Sequence, residues 1–399
     1  MSAPGRQAVV LGAGPAGLAA AACLVQAGVR DVTVLERAPA LGASWRAHYR
    51  RLHLHTVKEL SALPGLPFPS EAPRYVPRAQ VVAYLEAYAR HFGLAPRTGC
   101  EVQAVRAAPP ASPWRWEVHT ADGPPLAARH VVVATGANAR PLCPELPGQA
   151  HFGARVLHSR NYLDATPFAG MRVLVVGMGN TGAEIALDLC EQGVQVALSV
   201  RSPVNIVHRD VLGRPTQRTS LLLARLPPRL GDALAGLLRD LTVGDLSRFG
   251  LRTPARSPLS QLREEGRTPM IDVGTLARIR RGEIAVYPGV EALQPGAVRF
   301  SDGREVPFDA VILATGYAPA VQALFPGQPL PLDERGLPRV LSGSQALAGL
   351  HFVGFDVRQP GGLLRTIAQQ ALAVALAIAH EPAGGRGAAE EPASLGDAP

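Results

Sequence analysis

Residues 8–37, AVVLGAGPAGLAAAACLVQAGVRDVTVLER, read as an apolar strand, a glycine turn, a helix and a second strand. Gly12, Gly14 and Gly17 make the pattern G-x-G-x-x-G. The first glycine permits a tight turn, the second lets backbone approach a pyrophosphate, and the third lets helix pack closely on strand. The start of the helix offers free N–H groups and the positive end of a dipole, which suit a dinucleotide phosphate. Glu36 closes the second strand, where a carboxylate accepts hydrogen bonds from a ribose 2′-OH and repels a 2′-phosphate.

Glycine turns also arise for purely structural reasons, but this one recurs. Residues 172–201, RVLVVGMGNTGAEIALDLCEQGVQVALSVR, repeat the unit with Gly177, Gly179 and Gly182 at an offset of 165 positions (177 minus 12) that needs no gap. Gly28 and Gly193 follow the two helices at equivalent places, as helix-terminating glycines do. Where the first copy has Glu36, the second has Arg201. A guanidinium there suits a 2′-phosphate. The two units thus predict two different dinucleotides, one of them phosphorylated.

The 399 residues leave room for two or three domains with sizeable cores. A hydrophobic share of 47% with 18% charged residues is that of a soluble globular protein, and no apolar run reaches the length of a membrane span. The sequence enters its first strand almost at once, so neither a signal nor a transit peptide fits and a cytoplasmic setting is expected. Cys23, Cys100, Cys143 and Cys190 form no CxxC and no metal-ligand spacing, so no metal is expected. The net charge of +8 comes from dispersed arginines without a recognition motif, which speaks against nucleic acid. Lys58 is the only lysine in the chain. Either it survives a compositional bias, or position 58 needs a compact ammonium on a flexible stem.

Between the first unit and residue 70 lies LGASWRAHYRRLHLHTVKELSALPGLPFPS, in which Leu52 and Leu54 alternate with His53 and His55. That period of two sets both histidines on one face. Without clustered acids or thiols a metal reading is poor. A histidine satisfied at a domain edge competes with one lining a pocket. Residues 78–92 then read as an amphipathic core helix.

A longer repeat supports the same architecture. Asp122-Gly123 precedes Ala134-Thr135-Gly136 by 12 positions, and Asp302-Gly303 precedes Ala314-Thr315-Gly316 by the same 12. Each Asp-Gly reads as a hairpin turn. The first lies in a meander of strands at 101–106, 114–119 and 127–134. The second copy is 15 residues longer from glycine turn to A-T-G, with the excess in the Leu-, Arg- and Pro-rich 203–270. That segment packs on the second domain or governs access to the site. A buried strand at 350–357, Gly361-Gly362 and a helix from Leu363 follow, and 382–399 reads as a disordered tail.

The segment RLHLHTVKELSALPGLPFPSEAPRYVPRAQVVAYLEAYARHF resembles the flavin-containing monooxygenases, and within them the YUCCA family, whose pattern has histidine at the position of His55. The likeness continues through VVVATGANARP, VGMGNTGAEIALDL, RFGLRTP, TPMIDVGTLARIRRGEI and VILATGYAP, in order over nearly the whole chain. The family fingerprint F-x-G-x-x-x-H-x-x-x-(Y/F) appears as Phe152 to Tyr162 with Ala154 where glycine is usual, and Ala43 replaces a glycine before Trp45. Tyr162 argues against the Baeyer–Villiger relatives, which carry Trp there.

The resemblance implies an α/β flavoprotein of two Rossmann-like domains in the disulfide-reductase-like arrangement, the second inserted in the first. FAD then belongs to 1–160 and 309–381, and NADPH to 161–308. It also implies that NADPH reduces FAD, O2 adds at flavin C4a, and retained NADP+ protects the adduct while it oxygenates a small-molecule substrate. An aromatic 2-oxo acid such as indole-3-pyruvate, oxidised with loss of CO2, is the expected substrate, and a soft nitrogen or sulfur centre is the alternative. A non-oxygenating NADPH–flavin reductase is a third reading. Stable membrane insertion is not expected and a homo-oligomer stays open. Trp45, Thr315, Gly316 and Asp356 join the six turn glycines, Glu36 and Arg201 as cofactor-binding residues. His55 and Lys58 are expected beside the reacting end of the flavin, where a cation favours a peroxide anion.

Overall fold

The computed structural model describes residues 6–381, so the expected tail from 382 lies outside the described residues. Both glycine-turn units fold as read. Strand Arg6–Leu11 enters helix Pro15–Gln26 and returns as the parallel strand Val32–Leu35. Strand Arg172–Val176, helix Asn180–Glu191 and strand Gln195–Ser199 repeat the path. Proline opens the first helix without penalty, because that position has no intrahelical N–H partner. Gly28 (φ +82°) and Gly193 (φ +78°) end the two helices with left-handed turns.

The first sheet runs Val32–Leu35, Arg6–Leu11, Leu126–Val133, Trp116–Thr120, Val102–Ala107, with Leu350–Phe352 added beside the end of Leu126–Val133. The second is parallel throughout: Ile284–Tyr287, Gln195–Ser199, Arg172–Val176, Ala310–Leu313, Arg155–His158. The first sheet therefore takes its last strand, Leu350–Phe352, from beyond the second domain, while the second sheet is drawn from the continuous stretch 155–313. This corrects the expected boundaries, since 155–158 and 310–313 both belong to the second sheet and not to the FAD domain. The repeat supplies the reason: Leu126–Val133 lies beside Arg6–Leu11, and the strand before the second A-T-G lies likewise beside Arg172–Val176.

The alanine-rich helix Pro15–Gln26 packs against the C-terminal helix Leu363–Ala379, small side chains allowing close approach. Two further expectations change. The strand at 350–357 is confined to Leu350–Phe352, because Gly354 (φ +89°) turns the chain and gives its N–H to Gln370 Oε1 at 2.9 Å. The stretch 52–55 is extended but pairs only through a bridge from His53 to Pro77. Leu54 enters the first core while Leu52 packs on the second, so this segment stitches the two domains together. In the insertion, helices Thr216–Leu223, Pro228–Val243 and Pro258–Glu265 pack successively on one another, and Pro228–Val243 also packs on strand Ile206–His208.

Candidate active site

The two turns are superposable in their constraints. Gly12 and Gly177 both have φ +106°, and a Cβ on either would meet the backbone oxygen of Ala134 or Ala314 at 2.7 or 2.6 Å. A Cβ on Gly17 or Gly182 would lie 1.8 or 2.0 Å from the carbonyl oxygen of the first glycine. The middle glycines differ: Gly14 and Gly179 have extended backbone, and a Cβ there meets nothing within 4 Å. Each turn thus leaves open space in front of a helix N-terminus, a cradle that fits a pyrophosphate.

Glu36 is buried at the end of its strand and accepts the N–H of Ala13, within the turn, at 2.7 Å and that of Ala38 at 2.9 Å. It braces the turn, and its carboxylate has lone pairs to spare beyond these two bonds. Arg201 sits at the matching place in the second domain. Its stem packs against Gly289, while its exposed guanidinium has no hydrogen bond or ion pair among the described residues. The donor sets therefore fit an unphosphorylated ribose in one domain and a 2′-phosphate in the other.

The second glycine-turn helix carries three acids on one face, Glu184, Asp188 and Glu191, spaced by four and three residues. Glu184 accepts from His55 Nε2 in a short contact and from the Tyr49 hydroxyl at 3.3 Å. Asp188 accepts from the Tyr162 hydroxyl at 2.6 Å, and Glu191 pairs with Arg51 at 2.8 Å. The side chain of Glu184 is 4% exposed and that of His55 13%. Burial first, then the Glu184 charge and hydrogen bond, push the Tyr49 phenol well above its ordinary pKa, so it serves as a neutral donor. His55 makes no other hydrogen bond among the described residues, which leaves its Nδ1 available. Both histidines of the alternating stretch line one cavity of about 470 Å³, together with Arg51, Arg74, Tyr75, Glu184 and Arg209.

Lys58 was expected beside His55 at this site. Its ammonium instead donates to the carbonyls of Pro69 (3.2 Å), Ser70 (2.6 Å) and Ala72 (2.6 Å), and it does not line the cavity. The lone lysine holds the loop that leads into Pro73–Tyr75, a wall of the cavity.

At the start of the C-terminal helix, Gly362 (φ +93°) leaves no room for a Cβ, which would stand 2.6 Å from Thr56 Cγ2. Gln217, from the insertion, is buried here. Its Oε1 accepts the N–H of Val57 at 2.8 Å and its amide donates to the Gly361 carbonyl. The insertion therefore joins the His55 segment to the helix turn. Asp356 is buried and caps its own loop through the N–H of Arg358 at 3.0 Å. Thr315 donates to the Leu142 carbonyl, while Gly316 (φ +91°) accepts from His158 Nε2 at 3.1 Å. Trp45 is half-buried in helix Ala43–Arg46 against the first core. Gly42 carries the left-handed φ of +64°, so Ala43 is unstrained; likewise Gly153, not Ala154, holds the positive φ in the fingerprint.

Tyr49, Glu184 and Gln217 are not singled out by sequence reading. The acid spacing on the second helix is a signal for Glu184, although it equally describes a solvated face. Among the described residues no cluster of His, Cys, Asp and Glu could hold a metal, and no helix is long and apolar enough to cross a membrane.

A profile of the family described as flavin-binding monooxygenase-like matches residues 5–326. Indole-3-pyruvate monooxygenase YUCCA1 of Oryza sativa subsp. japonica is 42% identical over 363 residues, covering 90% of this chain and 88% of that protein. A flavin monooxygenase of Stenotrophomonas maltophilia, solved as a double mutant, superposes with a TM-score of 0.73 at 25% identity over 94% of this chain and 99% of that one. OTEMO, solved in complex with FAD and NADP, shares the fold with a TM-score of 0.70 at 16% identity, covering 94% of this chain and 86% of that chain.

Proposed function

The chain belongs to the flavin-binding monooxygenase-like family, an FAD- and NADPH-dependent monooxygenase, and on that premise we propose that it oxidises an aromatic 2-oxo acid, indole-3-pyruvate or a close analogue, with loss of CO2. The observation that carries the reading is the His55–Glu184 pair, which brings a segment of the FAD domain and the helix of the NADPH cradle to the same cavity. The relative most relevant to substrate is named an indole-3-pyruvate monooxygenase.

Bound FAD, reduced by NADPH, supplies the activation of O2. The balance is one 2-oxo acid, O2, NADPH and a proton giving the carboxylic acid shorter by one carbon, CO2, water and NADP+. The protein's part is binding, orientation and exclusion of water. Gly12, Gly14, Gly17 and Glu36 would hold FAD, and Gly177, Gly179, Gly182 and Arg201 would hold NADPH. Glu184 fixes His55 through Nε2, so the imidazole presents Nδ1 as the atom that holds or passes a proton. Tyr49 completes the carboxylate's hydrogen bonding and stops it turning away. Lys58 contributes through the loop it gathers, and Gln217 keeps the Val57 segment against the C-terminal helix.

The test is product analysis of the FAD-loaded enzyme with NADPH and O2 over indole-3-pyruvate, phenylpyruvate, a tertiary amine and a thioether. The expected result is CO2 and shortened acid in step with NADPH consumed, from the 2-oxo acids only. N-oxide or sulfoxide without CO2 release would overturn the substrate assignment and favour oxygenation of a soft nucleophile.

A further inference from the structure

The cavity of His55 and Glu184 has a second group of polar side chains, Arg74, Tyr75 and Arg209. Arg209 follows strand Ile206–His208, and its backbone N–H donates to the Asp272 carbonyl at 3.1 Å, which anchors the base of the side chain. Its guanidinium carbon stands 4.0 Å from the centroid of the Tyr75 ring, a stack that holds the planar group against the wall. The Tyr75 hydroxyl donates to Asp210 Oδ1 at 2.6 Å. The same carboxylate lies 3.6 Å from Arg74 Nη1 and 3.5 Å from Arg209 Nε. Two guanidiniums thus share one acid, while Arg51 is matched by Glu191 and His55 by Glu184. One positive charge is left over at this end of the cavity.

Arg209 Nε is also shielded from water without a hydrogen-bond partner among the described residues. A charged donor is costly to bury without an acceptor. That Nε faces the Asp210 carboxylate at 3.5 Å, so the Nη groups of Arg209, which have no hydrogen bond among the described residues, are the donors left for an anion in the cavity. Guanidinium presents paired N–H donors in a plane that matches a carboxylate, which an ammonium does not. The ammonium of Lys58 is in any case taken by three carbonyls.

We propose that Arg209, braced by Tyr75 and flanked by Arg74, is the subsite for the carboxylate of the 2-oxo acid substrate. This rests on the substrate reading given above and deepens it. A nucleotide phosphate shares the same anion chemistry, but Arg201, free and exposed at the end of the second strand of its unit, is the side chain placed for that group. The Asp210 carboxylate keeps the subsite selective, since it balances one arginine and leaves room for a single negative charge.

The experiment measures binding of indole-3-propionate and its uncharged carboxamide to the FAD-loaded, NADP+-saturated enzyme through the flavin absorbance, in wild type, Arg209→Met and Arg209→Lys. Wild type should bind the acid more tightly than the amide. Arg209→Met should weaken the acid by about tenfold to a hundredfold and leave the amide within about twofold, as loss of a charge-assisted contact predicts. Arg209→Lys should fall between the two, and it supplies the comparison should the methionine variant not fold. An unchanged preference for the acid in both variants would overturn the assignment. So would a rise in KM for NADPH with the acid unaffected, which would give Arg209 to the nucleotide. The arms also separate this proposal from the reading beneath it: if wild type prefers the acid but yields no CO2 from 2-oxo acids, the anion subsite stands and the substrate assignment fails.

Discussion

Two alanine substitutions three residues apart should do opposite things, and the contrast tests the NADPH cradle directly. At Gly179 the backbone is φ −84°, ψ −174°, open to any residue, and an added Cβ meets nothing within 4 Å. Gly179→Ala removes freedom from the unfolded chain without straining the folded one, so stability should hold or rise by about 0.4–1 kcal/mol. The methyl would occupy the space a pyrophosphate needs and displace charge-assisted hydrogen bonds from the turn. Loss of one such bond, about 1.5–3 kcal/mol, raises KM for NADPH by roughly tenfold to a hundredfold. At Gly182 the same methyl lands 2.0 Å from the Gly177 carbonyl oxygen and 3.1 Å from Ala314 Cβ. Helix and strand must separate, with a cost of about 1–3 kcal/mol or more. At about 2–4 °C per kcal/mol the thermal midpoint should fall by several degrees. The assay pairs melting of the FAD-loaded, nucleotide-free proteins with KM for NADPH. Wild-type KM in Gly179→Ala would exclude a pyrophosphate from the space in front of Gly179, and a melting point for that variant below that of Gly182→Ala would exclude the steric difference between the two positions.

Arg201→Ala should raise KM for NADPH by about tenfold or more while leaving KM for NADH and FAD content unchanged, since one charge-assisted contact is lost; equal losses with both nucleotides would remove Arg201 from the 2′-phosphate. Glu184→Gln should retain FAD but lower product formed per NADPH, with the difference recovered as H2O2, because the His55 imidazole is no longer held by a charge; full coupling would detach the pair from the chemistry. Lys58→Met should let the 69–72 loop move, seen as faster proteolysis there and a higher KM for substrate, with the NADPH oxidation rate at saturation little changed. Acid sensitivity should come from a buried chain in the first domain, in which Ser342 donates to His351 (2.8 Å), His351 to His130 (3.2 Å) and His130 to Glu381 (3.1 Å). Burial pushes both histidines down to about 3, so they stay neutral in the folded protein while the unfolded chain takes up protons below about 6.5. Their contribution is intact above that pH and is lost as pH falls from about 6.5 towards 3, at up to about 1.4 kcal/mol per unit for each histidine. Urea unfolding at pH 7 and 5 should show a steeper loss in wild type than in His351→Asn, and equal slopes would discard the idea.

The architecture was legible because its constraints are local. A glycine with a carbonyl 2 Å from its would-be Cβ cannot be exchanged quietly, so Gly17 and Gly182 mark their turns in the sequence itself. The placement of Glu36 and Arg201 after their strands follows from the same local geometry, each being fixed relative to its own turn. The boundary of the second domain was misread by a strand at each side, because strand membership in a parallel sheet depends on partners far along the chain, such as Arg155–His158 beside Ala310–Leu313. Lys58 shows a different limit. It is expected beside His55, but the groups it serves are backbone carbonyls, which every residue has and no sequence pattern announces.

Glu184 was invisible for a reason that bears on how the enzyme works. Its donors lie 129 and 135 residues away, and within its own helix it reads as one more polar position. Yet Glu184 and Glu191 receive Tyr49, His55 and Arg51 from the segment that leads out of the first domain, while Asp188 receives Tyr162 from within the second. The helix that follows the second glycine turn is therefore the one that grips the segment carrying His55. Sliding the domains past each other here would strand the buried Tyr49 hydroxyl and the buried Glu184 carboxylate together, each at about 1–3 kcal/mol or more. A hinge at this seam is thus less favourable than one at its exposed ends. The cavity of His55 and Glu184 thus lies on a seam where the two domains are held together by buried polar contacts.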